Sequence, residues 1–174
     1  MSTGRRWAPA PGQRVPEPVA ARKVTLEQLR ALEGQDLGTS RWHSLDQGTI
    51  TDFAGATGDT ERIHLDAGAA RAQGLDGTIA HGLLTLSLGP MFHQELLEVT
   101  GYSRVLNYGL EKVRFLAPVP VDSEIRMVTR LLRVRPIEGG SALHFSQAFE
   151  LRTPDGTVAG RPACVAESVV AYFD

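Results

Sequence analysis

The sequence predicts an α+β domain in which one antiparallel sheet wraps around a single buried helix. Two features of the chain lead there. Between Ile79 and Leu97, apolar residues fall on nearly every face of a helical wheel (Ile79, Leu83, Leu84, Leu86, Leu88, Met91, Phe92, Leu96, Leu97), the mark of a helix enclosed on all sides rather than lying on a surface. After Gly101 the apolar period changes to two and stays so through four strands to Phe173. A chain of 174 residues, 42% hydrophobic and 22% charged, is long enough to bury a core of this kind as one domain.

Taken in order, residues 1–22 hold Arg5, Arg6 and four of the prolines (Pro9, Pro11, Pro16, Pro18) without an apolar run, and are expected to form a flexible arm ahead of a domain at 23–174. Thr25 is placed to cap a short helix, with Gln28 three residues on, Leu26, Leu29 and Leu32 on one face, and Gly34 as a stop. Trp42 and Leu45 suggest a first strand. Ile50, Phe53, Ala54 and Thr57 then recur at helical spacing up to Gly58, and Asp59 to His64 is expected to be the loop leaving that helix. Asp66 is placed to cap a short alanine-rich helix through Ala72, with Gly74 and Gly77 bounding the next turn. The enclosed helix follows, kinked or divided at Pro90.

In the strand half, Leu106, Tyr108 and Leu110 share one parity and Val113 and Phe115 the other, which predicts a bulge near Glu111. Ile125, Met127 and Leu131 mark a second strand; Leu143, Phe145, Phe149 and Leu151 alternate with His144, Ser146 and Glu150 in a third; Pro162 to Phe173 forms the last. Turns are expected at Pro118–Asp122, Glu138–Gly140 and the Pro-Asp-Gly of Thr153–Gly156. A long meander beside one apolar helix is best satisfied by a sheet that curls around it, the hotdog arrangement.

A net charge of −2 with dispersed Lys and Arg argues against nucleic acid. The stretch Ile79–Phe92 is interrupted by polar residues and is shorter than the ~20 residues a bilayer span needs, so no membrane segment is expected. Cys164, the sole cysteine, can form no intrachain disulfide, which suits a cytoplasmic setting, and is expected in the core.

Chemistry concentrates in Gly58-Asp59-Thr60-Glu61-Arg62-Ile63-His64-Leu65-Asp66 and in Thr78-Ile79-Ala80-His81-Gly82-Leu83-Leu84. A carboxylate and an imidazole brought together beside a helix N-terminus can handle a water molecule, while free backbone N–H groups hold a carbonyl oxygen opposite. Hydration or dehydration next to a carbonyl requires both. Each residue also has a plainer role: Asp59 after a glycine can satisfy a turn, His64 can be a surface histidine, His81 can cap a helix or hold a loop, and Ser87 can bond back to the carbonyl of Leu83. Asp59, His64, Asp66 and His81 also form a conceivable metal set, but no ligand-repeat spacing supports one and no metal is expected.

Gly58-Asp59-x-x-x-x-His64-x-Asp66, and Ala80-His81-Gly82-x-Leu84 with Ser87, resemble the MaoC-like dehydratases, which include the R-specific enoyl-CoA hydratases. Asn107-Tyr108-Gly109-Leu110-x-Lys112-Val113-Arg114-Phe115 and Pro162-Ala163-Cys164-Val165-Ala166-Glu167-Ser168 are similar to their nodulation-protein-N-like branch. The likeness runs from Leu37 to Phe173. It implies a hotdog fold and a hydro-lyase that interconverts 2-enoyl and (R)-3-hydroxyacyl thioesters of coenzyme A or an acyl carrier protein, without a cofactor. Asp59 and His64 become the catalytic pair, Ser87 a supporting hydroxyl near them, Gly82 a backbone N–H donor to the thioester oxygen, and His81 a supporting residue with a structural role. The chain departs from the family at Glu61-Arg62, where Asn-Pro is usual. An exposed sheet edge would be covered by a second copy, so a homodimer is expected. The rival readings are a hotdog thioesterase, which would aim water at the thioester carbon, and a non-catalytic acyl-binding or partner subunit. Lys112 and Arg114 are left open between solvent and a carrier's phosphates.

Overall fold

The computed structural model describes residues 21–174. The arm expected over 1–22 lies outside them as far as residue 20, and Arg22 already stands in a strand. That strand, β1 (Arg22–Thr25), enters α1 (Leu26–Arg30) through the expected capping box: the Thr25 hydroxyl accepts from the Gln28 N–H at 3.1 Å and the Gln28 side chain accepts from the Thr25 N–H at 2.9 Å. Leu26 and Leu29 point from α1 into the core. Two short strands follow, β2 (Asp36–Thr39) and β3 (His43–Leu45), then α2 (Gln47–Thr57), started by the Asp46 carboxylate on the Thr49 N–H at 2.8 Å. Gly58, at φ +77°, adopts the left-handed turn that ends α2 and redirects the chain.

The next segment is more ordered than the loop expected from Asp59 to His64. Arg62–Leu65 forms a single helical turn, α3, and Asp66 then caps α4 (Ala67–Ala72) by accepting from the N–H groups of Gly68 and Ala69 at 2.8 and 3.0 Å. Ile79–Ala80, expected inside the enclosed helix, is a two-residue strand, β4. The helix itself starts at Gly82 and is divided: α5 (Gly82–Ser87), a break at Leu88, and α6 (Gly89–Leu96). Pro90 sits in the first turn of α6, where its missing N–H would have had no helical partner anyway, so it marks a fresh start.

From there β5 (Leu97–Thr100) runs parallel to β1, and the chain continues through β6 (Arg104–Phe115), β7 (Val119–Pro120), β8 (Ser123–Ile137), β9 (Gly140–Arg152) and β10 (Cys164–Phe173). The main sheet has the order β2-β8-β9-β10-β6, antiparallel throughout, with β3 also on β8; β4 pairs with β7. The bulge expected near Glu111 is present. Val165 faces Arg114 while Glu167 faces Glu111, and Lys112 takes a positive φ of 51°.

α5 and α6 pack into the sheet through Leu84, Leu86 and Phe92 against Ile125, Met127 and Phe149, and a second cluster joins Leu26 and Leu29 to Leu131 and Phe145. Each such side chain contributes roughly 1.5–3 kcal/mol on burial. Within one chain the helix is not enclosed on every side: Leu83 is 59% exposed. It faces the same cavity as Tyr108 and Leu110 of β6, which are also exposed, because β6 is the edge of the sheet and nothing in the described residues lies beyond it. No helix among the described residues is long and apolar enough to cross a membrane.

Candidate active site

The left-handed turn at Gly58 sets Asp59 at the mouth of a cavity of about 350 Å³, with His64, His81, Gly82 and Phe115 on its walls. Asp59 is exposed. Among the described residues its only side-chain hydrogen bond is a long one, 3.4 Å from the Glu61 N–H, so the turn role suggested by its position leaves the carboxylate largely unused.

His64 is buried in α3, and its Nδ1–H donates to the Ile79 carbonyl of β4 at 2.8 Å. A carbonyl can only accept, so this bond fixes the tautomer and leaves Nε2 with a free lone pair. A further bond holds α3 in place: the Gln47 amide donates to the His64 carbonyl at 2.9 Å and accepts from the Thr78 hydroxyl at 2.6 Å.

Of the two roles considered from the sequence, capping the helix or holding the loop, His81 takes the second. It precedes α5 without capping it, donates Nε2–H to the Asp59 carbonyl at 3.0 Å, and stacks on His64 with ring centroids 3.8 Å apart and planes 28° from parallel. Phe53 closes on the same ring at 5.1 Å. His81 thus ties the Asp59 loop to the start of α5 and sets the position of the His64 ring, while its own Nδ1 is buried with no hydrogen-bond partner among the described residues.

A carboxylate oxygen of Asp59, a ring nitrogen of His64 and a ring nitrogen of His81 lie within 4.8 Å of one another. A water hydrogen-bonded to two groups at ordinary distances and a tetrahedral angle holds them about 4.6 Å apart, so a single water fits this spacing. The same donors could ligate a metal, but tetrahedral ligand atoms stand roughly 3.4 Å apart and converge on one point. Asp66 is not part of this group. It caps α4 and pairs with Arg62, whose guanidinium together with the Ala69 and Gly68 N–H groups holds the carboxyl below its ordinary range.

The start of α5 borders the same cavity as Asp59, His64 and His81. No side chain caps it, and the first helical bond is from the Thr85 N–H to the His81 carbonyl at 3.2 Å, so the N–H groups of Gly82, Leu83 and Leu84 precede the helical ladder. A side chain at Gly82 would crowd the wall: a Cβ there would lie 2.9 to 3.1 Å from three atoms of the Phe115 ring.

Ser87 falls elsewhere than expected. Its hydroxyl donates to the Leu84 carbonyl at 2.8 Å, one residue later than the Leu83 partner considered from sequence, and it lines a second cavity of about 580 Å³ between the divided helix and strands β6 and β10. Five residues from Gly82 along a helix is roughly 7.5 Å of rise and 140° of rotation, enough to carry it off the wall of the first cavity. Leu83 borders both cavities. The residues the sequence reading passed over are Thr85, buried on the wall of the first cavity with a hydroxyl that has no partner among the described residues, and Phe115. Thr85 could have been found from its spacing, one helical turn beyond His81.

Cys164 is buried, as expected, and its thiol is pushed up to about 11 by desolvation, so it is not an ionised nucleophile. Lys112 is paired with Glu167, while Arg114 donates to the Val113 carbonyl at 2.7 Å.

Residues 28–143 match the family described as MaoC like domain. The 3-hydroxyacyl-thioester dehydratase Z of Mycobacterium tuberculosis is 40% identical over 148 residues, covering 85% of this chain and 95% of that protein. Nodulation protein N of Rhizobium meliloti is 39% identical over 105 residues, 59% of this chain and 65% of that protein. Among solved structures, the (R)-hydratase from A. caviae involved in PHA biosynthesis superposes with a TM-score of 0.61 at 20% identity, over 79% of this chain and 94% of that one, a likeness of fold.

Proposed function

Because this chain belongs to the MaoC-like domain family, whose hotdog fold it shares, we propose that it is a lyase of the hydratase–dehydratase type in which Asp59 and His64 handle the water. It interconverts 2-enoyl and 3-hydroxyacyl thioesters of coenzyme A or an acyl carrier protein. The observation that carries this reading is the approach of the Asp59 carboxylate and the His64 ring to within one water's reach, beside the free N–H groups that open α5.

In the hydration direction, the water between Asp59 and His64 loses a proton to that pair as its oxygen bonds to C3. The C2–C3 double bond becomes an enolate whose charge sits on the thioester oxygen. The Gly82 N–H and the positive end of α5 meet that charge, a donor of this kind being worth roughly 3–4 kcal/mol in an oxyanion hole. The proton then goes to C2, so that one water is consumed and both new bonds form on one face. The (R) configuration is carried over from the family resemblance.

The acyl chain passes Leu83 and lies in the larger cavity. That cavity's outer wall is the exposed edge strand β6, and we propose that a second copy covers this edge, with Leu106, Tyr108 and Leu110 at the contact.

The test follows the enoyl absorbance of crotonyl-CoA together with free thiol by Ellman's reagent. Loss of conjugation with no thiol released supports the lyase. Loss of the band with one thiol released for each thioester consumed would instead make the protein a thioesterase.

A further inference from the structure

The inward positions of β9 read Leu143, Phe145, Gln147, Phe149 and Leu151, and those of β10 read Cys164, Ala166, Ser168 and Val170. One polar side chain interrupts each apolar row. The two are neighbours, since Gln147 faces Ala166 across the strand pair and Ser168 faces Phe145. Both reach the wall of the 580 Å³ cavity, where Gln147 is 5% and Ser168 8% exposed. Among the described residues the Gln147 amide has no side-chain hydrogen bond, and the Ser168 hydroxyl is buried without a partner.

A third polar group stands at the same wall. His93 approaches the Thr129 oxygen through Nε2 at 3.4 Å; because the Thr129 hydroxyl is committed to the Ser146 carbonyl at 3.1 Å, the threonine accepts, and His93 Nδ1 is left as a bare acceptor. Burial pushes this imidazole down to about 4, which keeps it neutral at physiological pH. Gly89, which opens α6, lies against this amide: a Cβ there would stand 3.4 and 3.5 Å from the Gln147 nitrogen and oxygen, in van der Waals contact with it. Much of the remaining wall, including Phe53, Leu86 and Val169, is apolar.

Buried donors and acceptors that find no partner in the protein are unfavourable, and an alkyl chain lying against them would remove whatever solvent serves them. We infer that the acyl group taken by this chain carries a hydrogen-bonding oxygen, a hydroxyl or carbonyl beyond the reacting carbons, received by Gln147 and Ser168 with His93 beside them. This rests on the lyase reading and on the acyl chain entering the larger cavity. The three groups offer both donors and acceptors, so they suit a neutral oxygen function better than a charged one.

The experiment compares 2-enoyl-CoA thioesters of one length, unsubstituted or bearing a hydroxyl or keto group at successive carbons from C5 outward, on the wild-type protein and on Gln147→Leu and Ser168→Ala. At least one oxygenated substrate should exceed its alkyl counterpart tenfold or more in kcat/KM. Gln147→Leu should lower that substrate and raise the alkyl one, reversing the order; Ser168→Ala, the smaller change, should narrow the ratio even if the leucine variant fails to fold. The inference is overturned if the alkyl thioester is favoured at every position, or if both variants keep the wild-type ratio. No hydration of any member would instead defeat the lyase reading itself.

Discussion

Gly82→Ala probes the start of α5 most sharply, because the structure fixes what the added methyl meets. Its Cβ would lie 2.9, 3.0 and 3.1 Å from three carbons of the Phe115 ring, where van der Waals contact is about 3.6–4.0 Å, so the ring must move by somewhat under 1 Å. Overpacking typically costs about 1–3 kcal/mol, and the lower end applies here because Phe115 is 49% exposed and can swing outward. Alanine returns roughly 0.5–1 kcal/mol of helix propensity. The expected change in Tm is therefore within about 4 °C. Activity should respond far more strongly, since a displacement near 1 Å at a reacting centre is worth about a hundredfold. The assay is a double-mutant cycle in kcat/KM with Phe115→Ala, which removes the clash. In that background, Gly82→Ala should cost at least tenfold less than it does alone. Gly82→Ala working at the parental rate, or an equal loss with and without the ring, would refute the reasoning.

Three further outcomes follow from the geometry. His93 titrates at about 4 in the fold against 6.5 when unfolded, so between these values the unfolded chain binds the proton and folding stability falls as pH drops, by about 3 kcal/mol at 1.36 kcal/mol per unit, with no further loss below 4; urea midpoints should show this slope flattened in His93→Gln, and an unchanged slope contradicts it. His81→Ala removes the donor to the Asp59 carbonyl and the stacking partner of His64, so kcat should fall roughly 10- to 100-fold with a smaller change in KM, and His81→Gln should restore part of it; equal kcat in both variants and wild type would leave His81 a mere filler. Light scattering should give twice the 18.8 kDa chain mass, reduced to one by Leu110→Lys or Leu106→Lys on the exposed edge strand, and a monomeric wild type would remove the second copy from the account.

Features set by local chemistry were readable in the sequence. The Thr25–Gln28 capping box, the Asp66 cap, the stop at Gly58, the division near Pro90 and the bulge beside Glu111 all depend on side chains acting within a few residues of themselves. What escaped depends on distant partners. β4 exists only because β7 lies beside it, and β5 only because β1 does, so neither has a period of its own. α3 is a single turn, short enough for its four residues to look like loop, and it is held partly by the pair Asp66 forms with Arg62, the second residue of the Glu61-Arg62 that stands where the family resemblance leads one to expect Asn-Pro. At the site, Asp59, His64 and Gly82 were singled out by their motifs and by the family resemblance, and the structure places all three on the wall of one cavity. Ser87 fell elsewhere because five residues of helical rise and rotation separate it from Gly82, and Phe115, read only as a strand residue, was not connected to the cavity it lines.

The central claim is that Asp59 and His64 serve one water as a single unit, and the most direct measurement is kcat for crotonyl-CoA hydration across Asp59→Asn, His64→Ala and the double variant. Residues that act together are strongly non-additive, so each single change should lower kcat roughly a hundredfold or more and the double variant should be hardly slower than either. Losses that multiply in the double variant, or single variants that hydrate at the parental rate, would contradict it.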